Sequence, residues 1–205
     1  MLADGKRGDV PVTAKAYAQA LVGSTPGPFG DVSGLGADAF TANPYLGVDT
    51  LETLLDSARA ARAGMFVLVR TSNPGAADLE DLPLIGGGSL WERVATMVDT
   101  LGREAAGTQA PPLHDVGAVV GATAPEHVAR MRDLMPHTVF LLPGIGAQGG
   151  RVEDLAPAFA PHRAAGLVTA SRSIAAAHEH TAGAAPDAAA RAEAERLRAA
   201  AWSLA

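Results

Sequence analysis

Short apolar runs alternate along the chain with stretches whose apolar residues recur every three or four positions. Leu2-Ala3 reads as the last piece of a strand. Further strands are predicted at Ala37–Ala42, Met65–Arg70 (MFVLVR), Val116–Val120, Thr138–Leu142 (TVFLL) and Gly166–Ala170. The unbroken apolar character of MFVLVR and TVFLL fits strands buried on both faces. Between them the helical period predicts Thr13–Val22 and Ser89–Ala106, Pro125–Met135 and a short segment over Val152–His162. Asp49 opens another helix, with Leu51, Leu54 and Leu55 on one face and Gly64 at its end. An Ala-rich helix over Ala185–Trp202 closes the chain. Residues 76–88 carry no period and read as a Gly-rich loop, and Thr108–Asp115 as a polar connection. Strands alternating with helices predict the α/β class and a parallel sheet. Five clear βα units plus the truncated first make six. A (β/α)8 barrel has eight units in about 250 residues. The expected fold is therefore such a barrel lacking about its first two βα units, and the expected organisation a single partial barrel domain over 1–205.

Composition narrows the function classes. The net charge of −6 disfavours nucleic acid as a partner, because binding phosphates needs a basic face. Without cysteine there are no disulfides and no thiolate metal sites. No apolar run reaches the length of a membrane span. Met1-Leu2-Ala3 runs straight into charge, which is unlike a secretory signal, so a cytoplasmic protein is expected. The six histidines, His114, His127, His137, His162, His178 and His180, lack the spacing of metal ligands with acidic partners, so no metal is expected.

Charge concentrates in Asp4-Gly5-Lys6-Arg7-Gly8-Asp9, which reads D-x-K-x-x-D. Two residues apart on a strand, Asp4 and Lys6 share a face, and Asp9 follows just past the strand end. Taken alone, six residues of this kind read better as a solvated charge cluster on a surface turn. Other polar residues also follow strands: Asn43, Ser72, Gln148 and Arg172. Barrel active sites lie at the C-terminal ends of strands, so these residues fall on one end of one barrel. Gly144, Gly146 and Gly149 spell G-x-G-x-x-G within PGIGAQGG. The dinucleotide reading fails, because the motif is in the second-to-last unit and no acidic residue lies around Thr169 to hold a ribose. A phosphate-gripping loop fits better, since glycines let backbone N–H groups approach an anion and the Gln148 amide can donate too. Arg172, behind the last strand, supplies a fixed cationic fork for the same phosphate. Ser72 precedes Asn73-Pro74-Gly75 and by itself reads as a turn serine.

Together DGKRGDVPVTAKAYA, TANPYLGVDTLE, FVLVRTSNPG, VGAVVGAT, LLPGIGAQGG and ASRSI resemble orotidine 5'-phosphate decarboxylase over nearly the whole chain. The closest likeness is to the bacterial subgroup with a K-R-G-D form of the lysine motif. The resemblance implies a TIM barrel, a homodimer with no cofactor, and decarboxylation of orotidine 5'-phosphate to UMP in pyrimidine biosynthesis. It implies Lys6 as proton donor to the C6 carbanion, with Asp4 and Asp9 as the flanking carboxylates. Asp9 and Thr13 would reach into the partner's site. Ser72 would hydrogen-bond the pyrimidine and Pro143 lie against the base. Gln148, Gly149 and Arg172 would complete the substrate-binding set at the phosphate. The family's further lysine and aspartate, on earlier strands, have no counterpart in the sequence. Asp4 and Asp9 would then share one ammonium, which is expected to raise the pKa of one of them. The alternatives are a metal-dependent superfamily relative, of the hexulose-phosphate synthase or keto-gulonate-phosphate decarboxylase type, and an inactive truncated chain.

Overall fold

The computed structural model describes residues 1–106, 112–181 and 183–204. Among the described residues eight strands are present: β1 (Leu2–Arg7), β2 (Ser24–Thr25), β3 (Val32–Ser33), β4 (Ala39–Ala42), β5 (Gly64–Arg70), β6 (Val116–Val120), β7 (Phe140–Leu142) and β8 (Gly166–Val168). The helices are α1 (Pro11–Leu21), α2 (Val48–Ala60), α3 (Ala76–Leu79), α4 (Leu90–Ala106), α5 (Val128–Leu134), α6 (Arg172–Ala175) and α7 (Pro186–Trp202). Short 3-10 segments cover Pro125–His127, Val152–Phe159, Arg163–Ala165 and Ala177–His180.

Six strands form one parallel sheet in the order β1-β4-β5-β6-β7-β8. Each strand of it lies beside the next one in the chain, the order of a barrel wall rather than of a doubly wound sheet. The six expected βα units are therefore present, and β1 and β8 form the two edges of the arc. Its outer face buries Phe40, Met65, Val67, Phe140 and Leu142 against α2, α4 and α5, through Leu51, Leu54, Leu55, Val98 and Met131. Its inner face carries a smaller cluster of Phe66, Val119 and Leu141, with Leu2 and Leu68 packed beside it. Gly117 makes room for it, since a Cβ there would lie 2.3 Å from the Phe66 ring.

Several boundaries differ from the pattern-based expectation. α1 begins two residues before Thr13, because Pro11 takes the first helical position, where a missing N–H costs nothing. α2 ends at Ala60 without using Gly64, which instead opens β5. Arg62 takes the left-handed conformation at φ 56°, and the Ala63 N–H reaches Ala58 O at 2.8 Å. The expected loop at 76–88 contains α3, and the polar hairpin β2–β3 has too few residues to leave a period. Val152–Phe159 winds as a 3-10 helix that includes Pro157. β7 starts at Phe140 rather than Thr138, and β8 stops at Val168. Of the connection expected over Thr108–Asp115, residues 108–111 lie outside the described residues.

Arg132 fastens the last third of the arc. Its buried guanidinium donates to the carbonyls of Met135, Thr138 and Ala158 at 2.8, 2.8 and 2.6 Å. It also stacks over the Phe140 ring, 3.8 Å from its centroid. Burial lowers its pKa to about 10, so it stays charged at neutral pH while backbone dipoles take the place of water.

Candidate active site

The site starts from an irregularity in β1. Leu2 and Ala3 pair with Ala39 and Phe40, and the next pair is Arg7 with Ala42. Four steps along β1 thus face two along β4, and the extra residues lift Lys6 off the ladder. Lys6 adopts φ 48°, a left-handed conformation that costs a lysine about 1–2 kcal/mol. Its Nζ lies 2.6 Å from both carboxylate oxygens of Asp4. Thr41, on β4 and fully buried, accepts the Lys6 backbone N–H at 2.8 Å and donates to Asp4 Oδ1 at 2.9 Å. Partial burial opposes ionisation of Asp4, but the bonds from Lys6 and Thr41 and the ammonium's charge outweigh it. They hold the carboxyl below its ordinary 3.8.

The end of β5 supplies the second part. Arg70 pairs bidentately with Asp81, at 3.0 and 2.9 Å, and donates to Thr71 O at 2.7 Å. Glu80 accepts the Thr71 backbone N–H at 2.8 Å. These bonds tie the turn after α3 back to the strand end. Ser72 is held from three sides. Thr123 Oγ1 donates to its carbonyl at 3.0 Å. Gly121 and Gly144 crowd it closely enough that a Cβ on either would lie within 2.8 or 2.9 Å.

The loop after β7 supplies the third part. Gly144, Gly146 and Gly149 all have positive φ, at 103°, 74° and 94°, so the Gly-rich sequence is a backbone requirement. The loop closes on itself: the N–H groups of Gly146 and Gly150 donate to Gly150 O and Gly144 O, each at 3.0 Å. Gly149 donates its own N–H to Gly146 O at 2.8 Å. Arg172 begins α6, is exposed, and pairs with no acidic side chain among the described residues.

These parts enclose a cleft of about 840 Å³ at the C-terminal ends of the strands. Asp4, Lys6, Ser72, Pro143, Gln148 and Arg172 line it, over a floor of Leu68, Val119 and Leu141. A family model described as orotidine 5'-phosphate decarboxylase / HUMPS matches residues 1–186. The chain belongs to this family. Orotidine 5'-phosphate decarboxylases from Rhodopirellula baltica and Deinococcus radiodurans are each 43% identical to it, over 87% and 92% of this chain. The chain spans 57% and 64% of the lengths of those two relatives. The Leishmania donovani OMP decarboxylase structure superposes with a TM-score of 0.71 at 33% identity, covering 98% of this chain and 68% of that one. A Methanocaldococcus jannaschii orotidine 5'-monophosphate decarboxylase structure, at 20% identity and TM-score 0.68, shares the fold over 96% of this chain and 72% of that one.

Within this decarboxylase-family chain, three residues expected at the site stand apart from the cleft. Asp9 Oδ1 accepts the Val10 N–H at 2.7 Å and makes no ion pair with Lys6 among the described residues, and Thr13 lies in the first turn of α1. Gly149 does not line the cleft, and its N–H is already bonded within the loop. Among the described residues Asp4 therefore holds the ammonium alone. The raised pKa expected from a shared ammonium is not found at Asp4, whose carboxyl is shifted the other way. Asn43 is a turn residue whose Oδ1 accepts the Tyr45 N–H at 2.9 Å. His178 and His180 are exposed. Among the described residues no group of three or more His, Cys, Asp or Glu side chains is placed to hold a metal, and no helix is long and apolar enough to cross a membrane. Sequence reasoning missed Thr41, Thr123 and Glu80. Each is an ordinary polar residue whose role appears only when separate strand ends meet.

Proposed function

We propose that this chain carries the catalytic face of an enzyme that decarboxylates orotidine 5'-phosphate to UMP. The observation that carries the reading is one cleft with a carboxylate-clamped ammonium, Lys6 on Asp4, and a free guanidinium, Arg172. In this reading the bond from pyrimidine C6 to the carboxyl carbon breaks and CO2 departs. The electron pair stays on C6, and the Lys6 ammonium stabilises that charge and then donates its proton to C6. The lysine regains a proton from solvent. Asp4 keeps Lys6 charged and aimed. Ser72 hydrogen-bonds the pyrimidine, Pro143 lies against the base, and Gln148 and Arg172 take the phosphate. Binding energy gathered at the phosphate is then available at the reacting carbon.

The homodimer belongs to the same proposal. Asp9 and Thr13, set apart from this chain's own cleft, would complete the partner's site. Val10, Val12, Tyr45 and Leu46 are exposed around them, which supports a protein surface there. A cytoplasmic location belongs to the proposal as well: a charged nucleotide substrate does not cross membranes unaided, which supports it.

Lys6→Ala tests the reading. UMP formation should fall below detection while a UMP-like ligand still binds within about threefold, because the phosphate grip is untouched. Retained turnover in this variant would remove Lys6 from the mechanism. Activity lost to EDTA and restored by a divalent metal would instead favour the metal-dependent superfamily reading.

A further inference from the structure

We propose that Thr41 is a positioning residue: its buried hydroxyl couples the Lys6 backbone to the Asp4 carboxylate and so fixes where the ammonium points. A buried position on a central strand favours valine or isoleucine on shape alone. A hydroxyl there is costly unless its hydrogen bonds are made. Thr41 makes one as acceptor, from Lys6 N–H at 2.8 Å, and one as donor, to Asp4 Oδ1 at 2.9 Å. The direction of each bond is fixed, because the amide can only donate and the ionised carboxylate can only accept.

The backbone explains why the hydroxyl is needed. The irregular register between Ala3 and Arg7 takes Lys6 off the β1–β4 ladder, and the Thr41 side chain takes up its N–H. The same bond holds Lys6 at φ 48°. Without it the residue would relax toward ordinary extended backbone, and its Nζ would swing with it. The second bond holds the Asp4 carboxylate so that both of its oxygens meet that Nζ at 2.6 Å. Among the described residues Thr41 is therefore the one side chain hydrogen-bonded to both members of the pair, from a strand that belongs to neither. Lys6 on its own strand, and Glu80 and Arg172 lining the same cleft, are the other charged groups that share this space with Asp4.

The test compares Thr41→Val, which keeps the shape and removes both bonds, with Thr41→Ser, which keeps the hydroxyl. NMR reads two quantities in the 205-residue chain: exchange of the Lys6 amide, and titration of the Asp4 carboxyl carbon. Thr41→Val should speed Lys6 exchange by about tenfold or more relative to the amides of β5, and should shift the Asp4 midpoint upward. Thr41→Ser should leave both near the parent values. Thr41→Ala removes the same bonds without crowding and answers the question if the valine variant unfolds. An unchanged Lys6 amide and Asp4 midpoint in a folded hydroxyl-free variant would overturn the proposal. The kinetic consequence rests on the decarboxylase reading: kcat should fall about tenfold with KM within about twofold. If the parent chain makes no UMP, that reading fails, while exchange and titration still decide the role of Thr41.

Discussion

Arg172 is a guanidinium without a carboxylate partner among the described residues, at the start of a four-residue helix and facing the cleft. Its charge is available to a ligand. Arg172→Ala should weaken phosphate-bearing ligands by roughly 2–4 kcal/mol, the cost of leaving a bound anion without a charge-assisted partner. Titration calorimetry with the nucleotide and with its phosphate-free nucleoside checks this. Equal losses for both would make Arg172 a scaffold residue. Asp4 gives a pH prediction at the same scale. Its folded pKa lies below the ordinary 3.8, so its contribution to stability is complete above that value and is lost as pH falls through the folded pKa. Asp4→Asn should therefore flatten the acid limb of stability below about pH 4 and leave the neutral range unchanged in slope, measured by chemical denaturation at stepped pH.

Among the elements, α2 shows a stability cost left in place. Its C-terminal motif needs a left-handed residue, and the sequence puts Arg62 there with glycine two residues too late. Arg62→Gly should stabilise the fold by about 1 kcal/mol, read as a higher urea midpoint at unchanged slope. The same helix shows what was legible. Leu51, Leu54 and Leu55 announce its buried face, and MFVLVR announces a strand covered on both sides, because burial against a sheet writes period and apolarity into the chain. Its end was misplaced because glycine marks left-handed backbone by propensity, and here an exposed arginine takes that conformation instead. The β2–β3 hairpin and α3 stayed hidden for another reason. Elements of two to four residues are held by a few hydrogen bonds and bury too little to leave a pattern.

Across the whole molecule, six consecutive strand ends deliver the site, and residues far apart in sequence meet only because the sheet runs in chain order. That arrangement decided which site residues could be read. Lys6, Ser72, Gln148 and Arg172 were legible because each follows or ends a strand within a distinctive local motif. Thr41 and Thr123 were not, because their meaning lies in the neighbouring strand: Thr41 in Lys6 and Asp4, Thr123 in the Ser72 carbonyl. Asp9 and Thr13 belong to the motif but not to this chain's cleft, a separation no one-dimensional pattern contains.

Leu68, Val119 and Leu141 form the floor of the cleft, and they also set its permittivity. Two unit charges about 4 Å apart attract by about 1 kcal/mol in water and about 4 kcal/mol in a medium of effective dielectric constant near 20. An apolar floor offers water no hydrogen-bonding partner on that side of the cleft, so a negative charge forming above it would feel more of the Lys6 field. Val119→Thr alters almost no volume but gives water a foothold there. On the proposed decarboxylase reading, it should lower the rate of the chemical step several-fold in single-turnover measurements while nucleotide affinity stays within about twofold, although no polar group of the proposed site has been touched.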